Sequence, residues 1–139
     1  MKYLLSGREM KNWEKQAMEK YKIPSLLLME RAAMAVTEEL LSGKYDLHKV
    51  LIACGTGNNG GDGLAVARML KMKGHPVDVC IAGALDRLTV DAKQQLEMYQ
   101  AISGNFVTDP AYEEYTVIVD ALFGIGCNRE ITGIVAEVI

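Results

Sequence analysis

The chain has 139 residues, the length of one globular domain, of which 50% are hydrophobic and 24% charged, too apolar a mixture for a disordered protein. Fifteen basic against 18 acidic side chains leave a net charge of −3, which excludes nucleic acid as the main partner because phosphate binding needs a positive surplus. No run approaches the roughly 20 apolar residues of a membrane span. The opening MKYLLSGREMKNWEK turns charged too early for a secretory signal. Three cysteines, Cys54, Cys80 and Cys127, an odd number without a C-x-x-C pair, point to a reducing compartment. The expectation is a soluble, cytoplasmic enzyme or ligand binder with no membrane or nucleic-acid partner, folded as a single domain over 1–139.

Two helices are predicted first. Ser6 with Glu9 forms a capping box, and Met10, Trp13, Ala17 and Tyr21 follow at helical spacing. Pro24-Ser25 breaks and restarts the chain. Leu26 to Leu41 is apolar on nearly every side, which predicts a largely buried second helix stopped by Gly43. Met10, Met18, Met29 and Met34 in these helices are read as core.

Strands and helices then alternate. Val50 to Cys54 reads as a strand covered on both faces. A glycine-rich turn leads to a helix from Leu64 to Lys73, with Arg68, Lys71 and Lys73 complementing its dipole and Gly74 as its stop. Val77 to Ala82 is a second strand, Val90 to Ile102 a helix with Ala92, Leu96 and Tyr99 inward, and Asn105 to Val107 a short strand. Tyr115 to Leu122 reads as a strong buried strand, and Thr132 to Ile139 as the opening of another helix. This alternation predicts an α/β fold: a doubly wound, mostly parallel sheet behind two leading helices, with ligands beyond the carboxyl ends of the strands. His48 and His75 flank strands and read as surface residues.

Two segments fall on that rim. Gly55-Thr56-Gly57-Asn58-Asn59-Gly60-Gly61-Asp62-Gly63 holds five glycines in nine residues, more than helix or strand propensity explains. They permit positive φ and close approach of a ligand, and the helix they open offers an anion site. Gly55, Gly57 and Gly60 match G-x-G-x-x-G, but Asp62 would repel a pyrophosphate placed as in ordinary redox enzymes, and no acidic residue closes the second strand at Ile81-Ala82-Gly83. The plainer alternative is a tight turn with Asp62 capping the helix. The second segment, Asp120 to Glu130, ends an apolar strand on an aspartate, costly to bury unless paired or bound to a cation. Gly124 and Gly126 bend it and Arg129 suits phosphate. The alternative there is Asp120 bonded to loop N–H groups. Cys127 has no histidine in sequence to activate it as a nucleophile.

GTGNNGGDGLAVARML, VDALFGIG-x-x-RE-x-x-G and the earlier Leu28-Met29-Glu30-Arg31-Ala32 closely resemble the YjeF amino-terminal domain family, the NAD(P)H-hydrate epimerases. The resemblance covers essentially the whole chain and implies a Rossmann-like fold and interconversion of the R and S hydrates of NADH and NADPH. It further implies that Asn58, Asn59, Gly60, Gly61 and Asp62 contact the substrate, with Gly124, Ile125, Gly126, Cys127, Asn128, Arg129 and Glu130 as a second substrate loop. A potassium ion would be held by Asn59 and Asp120. Asp62 and Asp120 are the candidates for proton handling, Asp120 the more committed to the cation. Homodimers and cooperation or fusion with an ATP- or ADP-dependent dehydratase are also implied.

Ile125 and Cys127 stand where bacterial members often carry threonine and leucine. Family domains continue for roughly another half-length, through an Asp-Ile-Pro-Ser-Gly segment absent here. The expectation is therefore a domain incomplete at its C-terminal end, weakly active alone, with another chain covering the apolar edge beside Tyr115–Leu122. Two readings from other classes stand beside it: an atypical dinucleotide-dependent oxidoreductase, and a nucleotide-binding module without turnover.

Overall fold

The computed structural model describes residues 4–125. Its order is α1 (Gly7–Glu19), α2 (Ser25–Leu40), β1 (Val50–Cys54), α3 (Asn58–Met72), β2 (Val77–Ile81), α4 (Val90–Ala101), β3 (Asn105–Phe106) and β4 (Val117–Ala121). The four strands form one sheet in the order β3-β2-β1-β4, parallel throughout. Helices α3 and α4 carry the chain from β1 to β2 and from β2 to β3. The chain then crosses to the far side of β1 to make β4.

Local chemistry explains where the helices begin. Ser6 and Glu9 form the reciprocal capping box of α1: the Ser6 hydroxyl accepts from Glu9 N at 3.3 Å, and Glu9 Oε2 accepts from Ser6 N at 2.7 Å. Helix α2 starts immediately after Pro24, whose fixed φ suits a helix entrance. Helix α4 is capped by the Thr89 side chain, which accepts from Ala92 N.

The core lies between the sheet and the helix layer. Val50, Ile52 and Cys54 of β1, Val77 and Val79 of β2, Leu64 to Ala67 and Leu70 of α3, and Leu96 and Tyr99 of α4 form one buried cluster. Tyr99 is fully buried, and its hydroxyl accepts from Asn105 N at 3.2 Å and reaches Val77 O at 3.1 Å, tying α4 to β2 and β3. The ring meets Phe106 edge-on at 5.3 Å. On the way to β4, Tyr115 donates its hydroxyl to Asp78 Oδ2 at 2.8 Å, and the Asn105 amide donates to Oδ1. Asp78 is thus a mid-strand carboxylate satisfied by two donors, as burial requires.

Three expectations are corrected. Helix α2 is buried along one stripe only, Met29, Ala33, Thr37 and Leu40, while Leu27, Met34 and Val36 are exposed; it covers α3 with one face and nothing described covers the other. Of the four leading methionines only Met29 is core, since α1 buries no residue and Met10, Met18 and Met34 are exposed. Strand β4 is half-covered: Val117 and Val119 pack on the core, while Ile118 is 48% exposed and Asp120 is exposed. It is an edge among the described residues, so it receives helix cover on one face and no neighbour on its outer side. The helix expected over 132–139 lies outside the described residues. Among the described residues, no helix is long and apolar enough to cross a membrane.

The glycine-rich turn is the largest departure. Helix α3 begins at Asn58, six residues earlier than its hydrophobic pattern implied, and Gly60, Gly61 and Gly63 lie within it. None of these, nor Gly55 or Gly57, has positive φ; among the described residues the glycines that do are Gly43, Gly74 and Gly83. What glycine supplies here is room. A Cβ on Gly63 would stand 2.6 Å from Ala121 Cβ and 2.9 Å from Cys54 Sγ, and one on Gly60 would overlap the Gly55 carbonyl. Gly63→Ala is therefore expected to lower stability by about 1–3 kcal/mol through overpacking, read as an earlier midpoint in urea unfolding.

Candidate functional site at the strand-order switch

Strand order reverses between β1 and β4. The chain leaves β1 through α3 towards β2, whereas β4 lies on the opposite side, so the carboxyl ends of these two strands define the crevice where open α/β sheets bind ligands. Both sequence-predicted segments emerge there. Gly55 N donates to Ala121 O at 3.0 Å, and a Cβ on Gly55 would overlap the Leu122 carbonyl. A Cβ on Gly124 would lie 3.5 Å from Asn59 Cβ, so the start of α3 and the segment after β4 are in contact. On the other flank, Thr56 O accepts from Thr89 N at 3.1 Å, closing the rim towards α4.

Within this rim Asn58 is exposed, Asn59 half-buried, and Gly60 and Gly61 buried. Helix α3 has Gly57 at its N-cap and no side-chain cap bond, and a Cβ on Gly57 would meet open space. Its first N–H groups thus face an open approach, a position favourable to an anion. Asp62 is not a cap; it lies a turn inside the helix. Burial pushes its carboxyl up to about 6, and the nearby negative charge of Glu14 from α1 adds to the rise. The start of α1 also touches the second segment, a Cβ on Gly7 standing 3.4 Å from Ile125 Cδ1.

Asp120 is exposed, and its Oδ1 accepts from Leu122 N at 2.9 Å, while Oδ2 has no hydrogen bond among the described residues. Gly124 and Ile125 are exposed beside it. Gly126, Cys127, Asn128, Arg129 and Glu130 lie outside the described residues. Among the oxygen-bearing side chains of the described rim are the Asp120 carboxylate and the Asn59 amide, both hard donors. No cluster of three or more His, Cys, Asp or Glu that could hold a metal occurs among the described residues. Cys54 and Cys80 are buried, and burial pushes both thiols up, away from reactivity. His48 is exposed, as expected, and His75 is half-buried; both line a cleft of about 460 Å³ at the amino end of the strands, away from the rim.

The sequence reading missed a polar group behind the rim. Arg68, taken as a dipole complement, pairs with Glu30 of α2, and Gln95 of α4 donates to the same carboxylate. A signal was present: Ala92, Gln95, Leu96 and Tyr99 share one stripe at spacings of three and four, which places Gln95 among core positions.

Fold and crevice together define a doubly wound α/β domain with an amide-rich crevice at its strand-order switch. The chain matches the family model described as YjeF-related protein N-terminus over residues 25–139. It is 40% identical over 137 residues to the NAD(P)H-hydrate epimerase of Oenococcus oeni, covering 97% of this chain and 65% of that protein. It is 36% identical over 150 residues to the bifunctional NAD(P)H-hydrate repair enzyme Nnr of Moorella thermoacetica, covering 99% of this chain and 28% of that one. The crystal structure of yeast YNL200c superposes with a TM-score of 0.76 at 27% identity, over 94% of this chain and 60% of the yeast chain. The protein belongs to the YjeF amino-terminal family, and the chain spans less than two thirds of the length of these relatives.

The raised Asp62 has a consequence for folding. A carboxyl bound to its proton more tightly when folded favours the folded state at low pH, and that contribution is lost as pH rises from about 4, its unfolded value, through about 6. Asp62→Asn is expected to stabilise the protein at pH 7–8 by on the order of 1–2 kcal/mol, the shift being discounted for partial exposure. It should flatten the stability profile between pH 4 and 6, as read by thermal unfolding across that range.

Proposed function

We infer that this protein is an NAD(P)H-hydrate epimerase, interconverting the R and S forms of the hydrated nicotinamide cofactors. One observation carries the reading: the amide-rich start of α3 and the Asp120–Gly124 segment meet at the strand-order switch, in a chain of this family. The epimerase name borne by the Oenococcus relative supports it.

The substrate's reacting carbon bears a hydroxyl and a ring nitrogen. Protonation of the hydroxyl lets the C–O bond break and water depart, while the nitrogen lone pair forms an iminium. That centre is planar, so water can return to either face and re-form the C–O bond, inverting the carbon with no net redox change. A carboxyl titrating near neutrality suits both proton movements, and Asp62 fills that role: it gives a proton to the departing hydroxyl and takes one back from the returning water. Asn58, Asn59, Gly60 and Gly61 hold the dinucleotide at the open helix end. Gly124 and Ile125 are proposed as substrate contacts, as are Gly126, Cys127, Asn128, Arg129 and Glu130, the Arg129 charge suiting phosphate.

Asn59 and Asp120 would hold a potassium ion, which supplies positive charge that neutralises Asp120 and braces the second segment. The protein is proposed to act as a homodimer, or with its β4 edge paired to another chain. The bifunctional Moorella relative supports cooperation with a dehydratase activity. The cytoplasm is the proposed compartment.

The test is to incubate the intact protein with the R hydrate, with and without potassium, and follow the S form by chromatography. Potassium-dependent conversion is expected, with kcat/KM declining as pH rises past about 6. Asp62→Asn should lower kcat by about 10²–10⁴-fold, the usual worth of a positioned acid–base group. Asp120→Ala should abolish the response to potassium. Hydride transfer with intact NAD(P)+ would favour an oxidoreductase instead, and binding without turnover a non-catalytic module.

A further inference from the structure

Glu30, Arg68 and Gln95 come from three different helices, α2, α3 and α4, and none of them lies on the rim. Gln95 is 0% exposed, and its amide donates to Glu30 Oε1 at 2.7 Å. The Arg68 guanidinium, its side chain 16% exposed, pairs with the same oxygen. One carboxylate oxygen therefore gathers a donor from α3 and another from α4. Arg68 Nε and Gln95 Oε1 are buried without a partner among the described residues, so the group is not arranged to maximise hydrogen bonding. A buried ion pair is also a poor source of stability compared with well-packed apolar side chains. What it does supply is direction.

The same three helices meet again nearer the rim. A Cβ on Gly61 would stand 2.6 Å from Met29 Cε, and Met29 is the residue before Glu30 in α2. It would also stand 3.1 Å from Ala92 Cα, and Ala92 lies one turn before Gln95 in α4. Gly61 and Arg68 are seven residues, two turns, apart in α3 and so share a face. Helices α2 and α4 thus grip α3 by close packing at Gly61 and by charge at Arg68. Apolar packing at Gly61 has no direction of its own. The ion pair and hydrogen bond two turns on add one.

We propose that Glu30, Arg68 and Gln95 form a positioning clasp that sets the rotation and axial placement of α3, and through it the Asn58–Asp62 turn that receives the dinucleotide. The proposal rests on the epimerase reading for its kinetic consequence, but its structural consequence can be read without substrate. The discriminating variant replaces the whole group with apolar side chains of similar size, Glu30→Met/Arg68→Met/Gln95→Leu, since such exchanges commonly preserve stability. Gln95→Met alone, which leaves the ion pair, is the milder companion.

Both variants of the intact protein are compared with the parent by amide hydrogen exchange and by turnover of the R hydrate. The clasp predicts at least tenfold faster exchange at Gly60–Asp62 in the triple variant, with β1 (Val50–Cys54) unchanged. It predicts a KM raised at least tenfold, with kcat falling as well because Asp62 lies in the same turn, and Gln95→Met in between. Equal acceleration in β1 and at Gly60–Asp62 would mean a merely structural role and overturn the proposal. So would parental exchange and KM in a folded variant. If the triple variant fails to fold, parental exchange and KM in Gln95→Met overturn it, and faster exchange confined to Gly60–Asp62 there upholds it. Faster local exchange in a protein that turns over no hydrate would sink the epimerase reading and leave the clasp standing.

Discussion

Everything at the rim depends on how closely one helix approaches two strand ends. The first turn of α3 lies so near β1 and β4 that a single methyl group at Gly55, Gly60 or Gly63 would collide with backbone or core atoms. Contact at this range brings Asn59 against the segment after β4, and it lets Gly55 bond directly to Ala121. The glycines thus act by being small, and their conformational freedom is incidental. Backbone groups brought this close become part of the binding surface themselves.

The same approach shapes the electrostatics. A carboxyl one turn inside a closely packed helix loses much of its water, and α1 brings Glu14 to bear from outside. Asp62 is therefore pushed up to about 6, closer to neutrality than an ordinary carboxyl. Asp120, a residue of the adjoining strand, sits in contrasting surroundings: exposed, and anchored to its own loop through Leu122 N. Two carboxylates on one rim thus sit in different surroundings, one drawn into a packed helix turn and one exposed at a strand end.

The order of elements was legible because alternation of short apolar runs with helical stripes has few physical solutions. β1 and Tyr99 behaved as their patterns implied. Periodicity could not show where α3 begins, since Asn58 to Gly63 carry no apolar stripe and glycine is a poor helix former; tertiary contact overrode local preference. Burial was overestimated for β4 and α2 for a related reason. An apolar run reports what a segment can bury, while the cover it receives depends on neighbours that a one-dimensional pattern does not contain. Arg68 was misassigned because a cation near a helix end already has a sufficient local explanation, and only the fold reveals Glu30 across from it.

Helix α3 starts on a glycine with no side chain to close its end, although α1 and α4 both have theirs. Among the described residues α2 also lacks a side-chain cap, and α3 is left unfinished at the mouth of the crevice. Whatever anionic group arrives there supplies the missing acceptors, so the guest completes the secondary structure of its host. Recognition and folding then draw on one shared free energy, and the occupied protein should be the stiffer and more heat-resistant form.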